Sequence, residues 1–289
     1  MNTLKNQPGQ GLAIANVNLR GSSTVPPAQT ARMGALPGNR EEQPLRIRHP
    51  AFRMDVMFTQ SFGTAFELIA TLDAQLFAIV GLSLQVSVIA VAVAAVIGLP
   101  LGAFVAVFDF RGRSAAIALL NTLMGLPPVV VGLIVYLMLS RAGPLGPFGL
   151  LFTPTAMVIA QSILVLPIIA ALTRQTVADL YGEYTEQLQS LGVGPVRAIP
   201  TLLWDGRYSL LTAILAGFGR AIAEVGAVLI VGGNINHVTR VMTTTIALET
   251  SKGNLAIALG LGIILLALAL AVNAGALFVQ GVAQRVEGG

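Results

Sequence analysis

Arg220 and Glu224 stand four residues apart inside a segment, about Ser209 to Gly233, that is otherwise free of charge. On an α-helix that spacing puts both side chains on one face, where opposite charges pair. A charge in mid-bilayer costs roughly 2.5–3.5 kcal/mol on insertion scales, and is kept where it faces the bundle and has a partner. The pair therefore reads first as a structural lock, in which Arg220→Glu combined with Glu224→Arg preserves assembly. Its second reading is part of an anion path, with Arg220 as the attracting charge. Just beyond it, Asn234, His237, Thr239, Arg240, Thr243, Thr244 and Thr245 supply amide, imidazole, hydroxyl and guanidinium groups. Hydroxyl and amide donors beside one Arg could hold an oxyanion transiently and still release it. The same residues could instead form a polar loop that docks a partner or closes an outer gate.

Other chemistry is excluded by what is missing. The chain has no cysteine, and His49 and His237 are its 2 histidines. No second ligand lies near His237, so it reads as loop chemistry and no metal site is expected. There is no H-E-x-x-H, no G-x-S-x-G and no second intramembrane carboxylate, which leaves hydrolysis without residues. There is also no G-x-x-x-x-G-K-[ST], so any nucleotide must be held by another polypeptide.

The elements that position these residues belong in a membrane. Of the 289 residues 55% are hydrophobic and 10% charged, with a mean hydropathy of +0.79. A soluble domain is about 25% charged. Residues 1–53 hold 7 Lys/Arg against 2 Glu, and the rest holds 10 basic against 11 acidic side chains, so the excess basicity lies in a polar tail and does not indicate a nucleic-acid binder. Apolar runs give five spans, at about 76–108, 114–140, 150–173, 209–233 and 254–284. The 174–207 segment is the longest polar interruption.

An odd number of spans puts the termini on opposite faces. If the 109–113 turn, the 174–207 segment and the C-terminus are cytoplasmic, they hold Arg111, Arg113, Arg174, Arg197, Arg207 and Arg285 against Arg141, Arg240 and Lys252 opposite. That favours a cytoplasmic C-terminus and an external N-terminus, and leaves the basic tail on the wrong side. Translation starting at Met54 resolves the conflict, as does a disordered tail that is a weak topology signal. From 54 to 73, Phe58, Phe62, Phe66, Ile69 and Leu72 recur at helical spacing, which predicts an amphipathic helix in the interface.

Pro127 and Pro128 fall inside the second span, where missing donors bend a helix and often mark a packing kink or a pathway. In the fourth, Thr212, Gly219, Gly226 and Gly233 repeat every seventh position. Such a stripe of small side chains predicts a close-packing face for another helix, of the same chain or across a dimer axis.

The polar segment contains Glu186, Leu188, Leu191 and Gly192, then Pro195, Ile199 and Pro200. A short helix bearing Leu188 and Leu191 on one side, ended by a left-handed Gly192, can turn sharply into a second short helix. The spacing from Glu186 to Gly192 and on to Ile199-Pro200 resembles the EAA motif of ABC importer permeases, with Gln187 and Leu188 in place of the two alanines. GLPPVVVGLIVYL (125–137), IGLPLG (97–102), GRAIAEVGAVLIVGG (219–233) and NINHVTRVMTTTIALETSKGN (234–254) extend the likeness. Together they resemble the permeases of tungstate-type oxyanion importers, kin of molybdate and sulfate permeases, over about Met54 to Gln284.

The resemblance implies an all-α integral membrane fold of about five transmembrane helices, the type I ABC importer permease fold. The Glu186–Pro200 corner would be its coupling helix. It further implies two copies of the chain in the inner (plasma) membrane, an ABC ATPase subunit in two copies carrying ATP and Mg, and an extracytoplasmic substrate-binding protein. The chain would be non-catalytic, without a cofactor of its own. The alternative is a secondary transporter or channel without an ATPase; it would call for inverted repeats and midplane ionisable groups. No such repeat is evident, and one buried charge pair is all the sequence offers.

Overall fold

The computed structural model describes residues 50–71 and 73–287, and the side chains of 60–71 and 73–281. The tail up to residue 49 lies outside the described residues. The helices are α1 (Pro50–Ala70), α2 (Ala74–Val107), α3 (Arg113–Leu123), α4 (Pro128–Leu139), α5 (Pro154–Ser190), α6 (Pro195–Asp205), α7 (Arg207–Ile222), α8 (Gly226–Gly232), α9 (Met242–Lys252) and α10 (Leu255–Glu287). No strand occurs among the described residues, and the all-α fold class is the one expected.

Local chemistry sets the helix ends. Asp73 caps α2 by accepting from the Leu76 N–H at 2.9 Å, and Thr153 with Pro154 opens α5. At the far end of α2, Arg113 donates to the carbonyls of Val105 (3.0 Å) and Ala106 (2.7 Å) and to Asp109. A cation there satisfies carbonyls that have no partner within the helix and faces the negative end of its dipole.

Among the described residues three helices, α2, α5 and α10, are long and apolar enough to cross a membrane. The pairs α3/α4 and α7/α8, bent by 100° and 59°, bring the count to five if each is one span. The second span, expected to bend at Pro127 and Pro128, is broken there, and the fourth, expected to be continuous, is broken as well. Between α3 and α4 the chain leaves helical geometry at Met124–Pro127; Pro127 takes an extended backbone and Pro128 begins α4. Two adjacent prolines start a helix well but cannot continue one, since the first forces its predecessor out of the helical region and both lack an N–H. α5 departs from expectation in the other direction: it does not stop near residue 173 but runs unbroken to Ser190.

Helices in lipid gain little from apolar burial against one another, so close contact through small residues decides the packing. The central crossing is α2 on α5. A side chain at Gly102 would run into the Ala170 carbonyl and Thr173, and one at Gly98 would meet Ile169 at 3.2 Å. Val91 and Ala94 of α2, Val165 and Ile169 of α5 and Ala221 of α7 form a buried cluster beside it. A second cluster gathers Leu76 and Ile79 of α2, Ile222, Met242 and Leu261. α1 joins this side through Ala65, which is fully buried near Gly260 of α10. Phe62 and Phe66, expected to form the apolar stripe of the interfacial helix, point outward.

Candidate transport site and coupling corner

The expected Arg220–Glu224 pair forms, at 2.5 Å, but not along one helix. α7 ends at Ile222 and α8 begins at Gly226, so Arg220 sits in the last turn of one helix and Glu224 in the break before the next. Each charge thus faces the dipole end that favours it. Glu224 is 4% exposed, and its other carboxylate oxygen accepts from the Ala227 N–H at 3.1 Å, an N-terminal cap for α8. The break is further held from outside. Gln161 of α5 donates to the Ala221 carbonyl at 3.0 Å, and Thr243 of α9 donates to the Glu224 carbonyl at 2.8 Å. In hydrocarbon a broken helix survives only if its backbone groups find partners, and here Glu224 takes the Ala227 N–H while Gln161 and Thr243 bond the carbonyls at the break.

Because of the break, the seven-residue stripe does not run as one face. Thr212 and Gly219 line an open groove of about 540 Å³ between α7 and α10. Gly226 abuts Val129 of α4, and Gly233 ends α8 in a left-handed conformation beside Phe152. The close-packed glycine of α7 is Gly217, pressed on Val165 and Ile169. On the α4–α8 contact it is Gly132, against Ala227.

The hydroxyls expected to face an anion are committed to the backbone. Thr239 is fully buried; it donates to the Gly232 carbonyl and accepts from the Ile235 N–H at 2.9 Å. Thr244 accepts from the Val241 N–H at 3.2 Å, half of a capping box for α9, and lies 3.0 Å from the Asn234 side-chain oxygen. Thr245 donates to the Val241 carbonyl at 2.7 Å. Together they fold residues 232–245 into a tight turn in which Asn234 and His237 hold positive φ (51° and 60°). Arg240, by contrast with the threonines, keeps spare capacity. One guanidinium nitrogen donates to Asn236 at 3.1 Å, and its buried Nε has no partner.

Next to this turn, Glu249 is 8% exposed and receives Lys252 at 2.9 Å and Asn254 at 3.1 Å. The hydrogen bond from Lys252, more than any other contact, holds its carboxyl below the ordinary glutamate range; Asn254 and the Arg240 charge add to this, and burial opposes it.

At the opposite end of α5, Gly192 takes φ +66°, the left-handed backbone that the sequence predicts. The Gly192 N–H bonds the Gln189 carbonyl at 3.0 Å and the Val193 N–H bonds Leu188 at 2.9 Å, the paired bonds of a Schellman motif. Leu188, Val193 and Ile199 pack against a cluster of Ala103, Ala106, Val107, Val177, Ala198 and Leu202, which ties the corner to α2. Leu188 and Leu191 do not share a side: Leu191 has left the helix and is 77% exposed. Glu186, Gly192 and Pro200 are exposed as well, with Pro200 inside α6. The corner thus projects Leu191 and Val196 outward from a buried base.

Gln161, Ser83 and Ser87 stand in no motif of the sequence, yet all three are buried polar residues of α2 and α5 facing the α7–α8 break or the start of α9. Ser83 accepts from the Met242 N–H at 2.7 Å. A glutamine isolated in an apolar run was the signal available, since such a residue is kept in a span where it has a partner.

A polytopic helical bundle with broken, polar-stitched spans and a projecting two-helix corner has the build of a membrane permease. No family model matches the chain. It is 46% identical over 185 residues to a probable anion ABC transporter permease protein of Haloferax volcanii, covering 62% of this chain and 80% of that one. It is 42% identical over 199 residues to the tungstate uptake system permease protein TupB of Peptoclostridium acidaminophilum, covering 69% of this chain and 87% of that one. More distant likenesses include the molybdenum transport system permease protein ModB of Azotobacter vinelandii, 27% identical over 58% of this chain and 78% of that protein. The chain belongs to the oxyanion group of ABC transporter permeases.

Proposed function

We propose that this chain is the membrane subunit of an ATP-driven importer that carries tungstate, with molybdate and sulfate as related oxyanions. Two copies form the path, two ATPase subunits supply ATP hydrolysis with Mg, and an extracytoplasmic protein delivers the anion. The observation that carries the reading is the corner at Gly192. A rigid Schellman turn anchored on α2 and α5 presents exposed Leu191 and Val196 to a partner. α5 also gives it mechanical reach, since one unbroken helix joins the membrane core to the corner. A partner that moves the corner therefore moves α5, and with it Gln161, which holds the α7–α8 break.

In this reading the corner and the C-terminus face the cytoplasm of the inner (plasma) membrane, the N-terminus lies outside, and the 234–254 region faces outward. The chain itself performs no catalysis. Pro127 and Pro128, at the α3–α4 bend, and the α7–α8 break are the places where a path between two copies could open and close. The test is copurification from native membranes followed by reconstitution. Capture of an ATPase with the nucleotide-binding signature, and tungstate uptake that requires ATP, support the reading. Uptake that proceeds without ATP by the chain purified alone would overturn it in favour of a secondary transporter.

A further inference from the structure

Arg240 is not among the ion pairs of the described residues, and its Nε is buried without a partner. Its acidic neighbour Glu249 is already matched by Lys252 and Asn254. Arg240 is half-buried and its charge reaches Glu249 without an ion pair, and the geometry shows where its remaining donor capacity is available. A cavity of about 140 Å³ is lined by Gln75, Ala78, Ile79 and Leu82 of α2 and by Asn236, His237 and Arg240 of the turn. Among the described residues, no carboxylate lines it. Asn236 has its oxygen turned to Arg240, which leaves its amide N–H₂ as a donor, and Gln75 offers a second amide. One water needs roughly 10–15 Å³ on this measure, so the space admits an anion with four oxygens. A neighbouring cavity that shares Gln75, Ile79 and Arg240 is lined by Asp73 and Glu249 and would repel one.

We propose that this donor-lined cavity is an oxyanion subsite at the outer mouth of the permease, with Arg240 supplying the charge-assisted contact and Gln75 and Asn236 fixing orientation. The inference rests on the transport reading above and names the residues on this chain that meet the substrate. Its chemistry suits transfer better than storage: one guanidinium and a few neutral donors at an open cavity hold a divalent oxyanion less firmly than a fully enclosed cage would. The positive φ of His237 and the buried Thr239 hydroxyl fix the turn, so Arg240 is delivered to the cavity by the backbone.

The experiment uses the complete transporter, with its ATPase and binding protein, in proteoliposomes, and follows tungstate uptake at concentrations below saturation. Arg240→Gln is expected to lower uptake about tenfold, with Arg240→Lys intermediate because it keeps the charge but loses the planar fork. Arg141→Gln removes a cation from another loop of the same face and serves as the electrostatic control, with uptake expected to be unchanged. Titration of tungstate into the purified transporter without binding protein should show a weak saturable site that Arg240→Gln abolishes. Undiminished uptake and binding in Arg240→Gln would overturn the subsite while leaving the transport reading intact. An equal loss in Arg141→Gln would also overturn it, by showing a general surface potential. Absence of ATP-dependent oxyanion uptake by the wild type would overturn both.

Discussion

Arg220 closes α7 and Glu224 opens α8, and their side chains meet at 2.5 Å across the break between the two helices. One carboxylate therefore does two tasks, neutralising a cation and capping a helix through the Ala227 N–H.

That double role changes what mutation should do. A charge exchange at the two positions is expected to fail, contrary to the simple-pair expectation, because an arginine at 224 cannot accept from Ala227. Glu224→Gln keeps an acceptor and should be the mildest change, while Glu224→Leu leaves both Arg220 and the Ala227 N–H without a partner. Breaking a buried pair costs about 3–5 kcal/mol; here about 2 kcal/mol is expected, since Arg220 is 35% exposed. Thermal melting in detergent should rank the wild type above Glu224→Gln, and that above Glu224→Leu and the exchange.

Glycines on α2 should respond in order of the space around them. Gly102→Ala drives a methyl into the Ala170 carbonyl, which is backbone and cannot yield without moving α5; a loss of about 1–3 kcal/mol is expected. Gly98→Ala meets only the Ile169 side chain at its nearest, and should cost less. Gly81→Ala meets nothing and should be neutral or slightly stabilising through helix propensity. Melting temperatures of the three variants check the series.

At the corner, the backbone of Gly192 matters more than its surroundings, since no atom lies within 4 Å of an added side chain. Gly192→Asn, which tolerates the left-handed region, should keep ATPase capture in a pull-down, whereas Gly192→Val should lose most of it. Gly192→Asn should melt close to wild type and Gly192→Val below it, because a branched side chain is strained at φ +66°. A valine variant that still captures the ATPase would show that the corner does not need its Schellman geometry.

Acid should loosen the turn before α10. The folded-state pKa of Glu249 lies below its unfolded value, so its stabilisation is fully present above the unfolded value and is lost as pH falls through the folded one. Lys252→Met removes the largest cause and should move that loss to higher pH. Melting profiles between about pH 6 and about pH 3 would show the two curves separating on the acid limb, and coincident curves would refute the assignment.

Much of the site was legible because its signals are local. The glycine at 192 was predicted left-handed from its position at the end of a helical stretch, and it is. The Arg220–Glu224 pairing followed from a spacing of four, which brings side chains together whether the helix continues or has just ended. The threonines of 239–245 were legible as a polar group but not in their use. A hydroxyl beside a bilayer serves a ligand or the backbone according to which carbonyls lie near it, and those of Gly232, Glu224 and Val241 claimed them.

The sequence by itself determined that the chain lives in a membrane, where its apolar runs begin and end, that a polar corner turns at Gly192, and the family to which it belongs. The first three depend on residue type summed over a short window or on a local backbone preference, and the last on identity spread over most of the chain. Tertiary structure alone decided that the run without an internal proline is broken by 59°, that the one with Pro127 and Pro128 turns by as much as 100°, that α5 continues into the corner, and that Arg240 faces a donor-lined cavity. Hydropathy cannot register a break, because the residues that make one tolerable stand elsewhere in the chain. Gln161 satisfies a carbonyl 60 positions away and Thr243 one 19 positions away, and lipid permits the bend only when those partners have arrived.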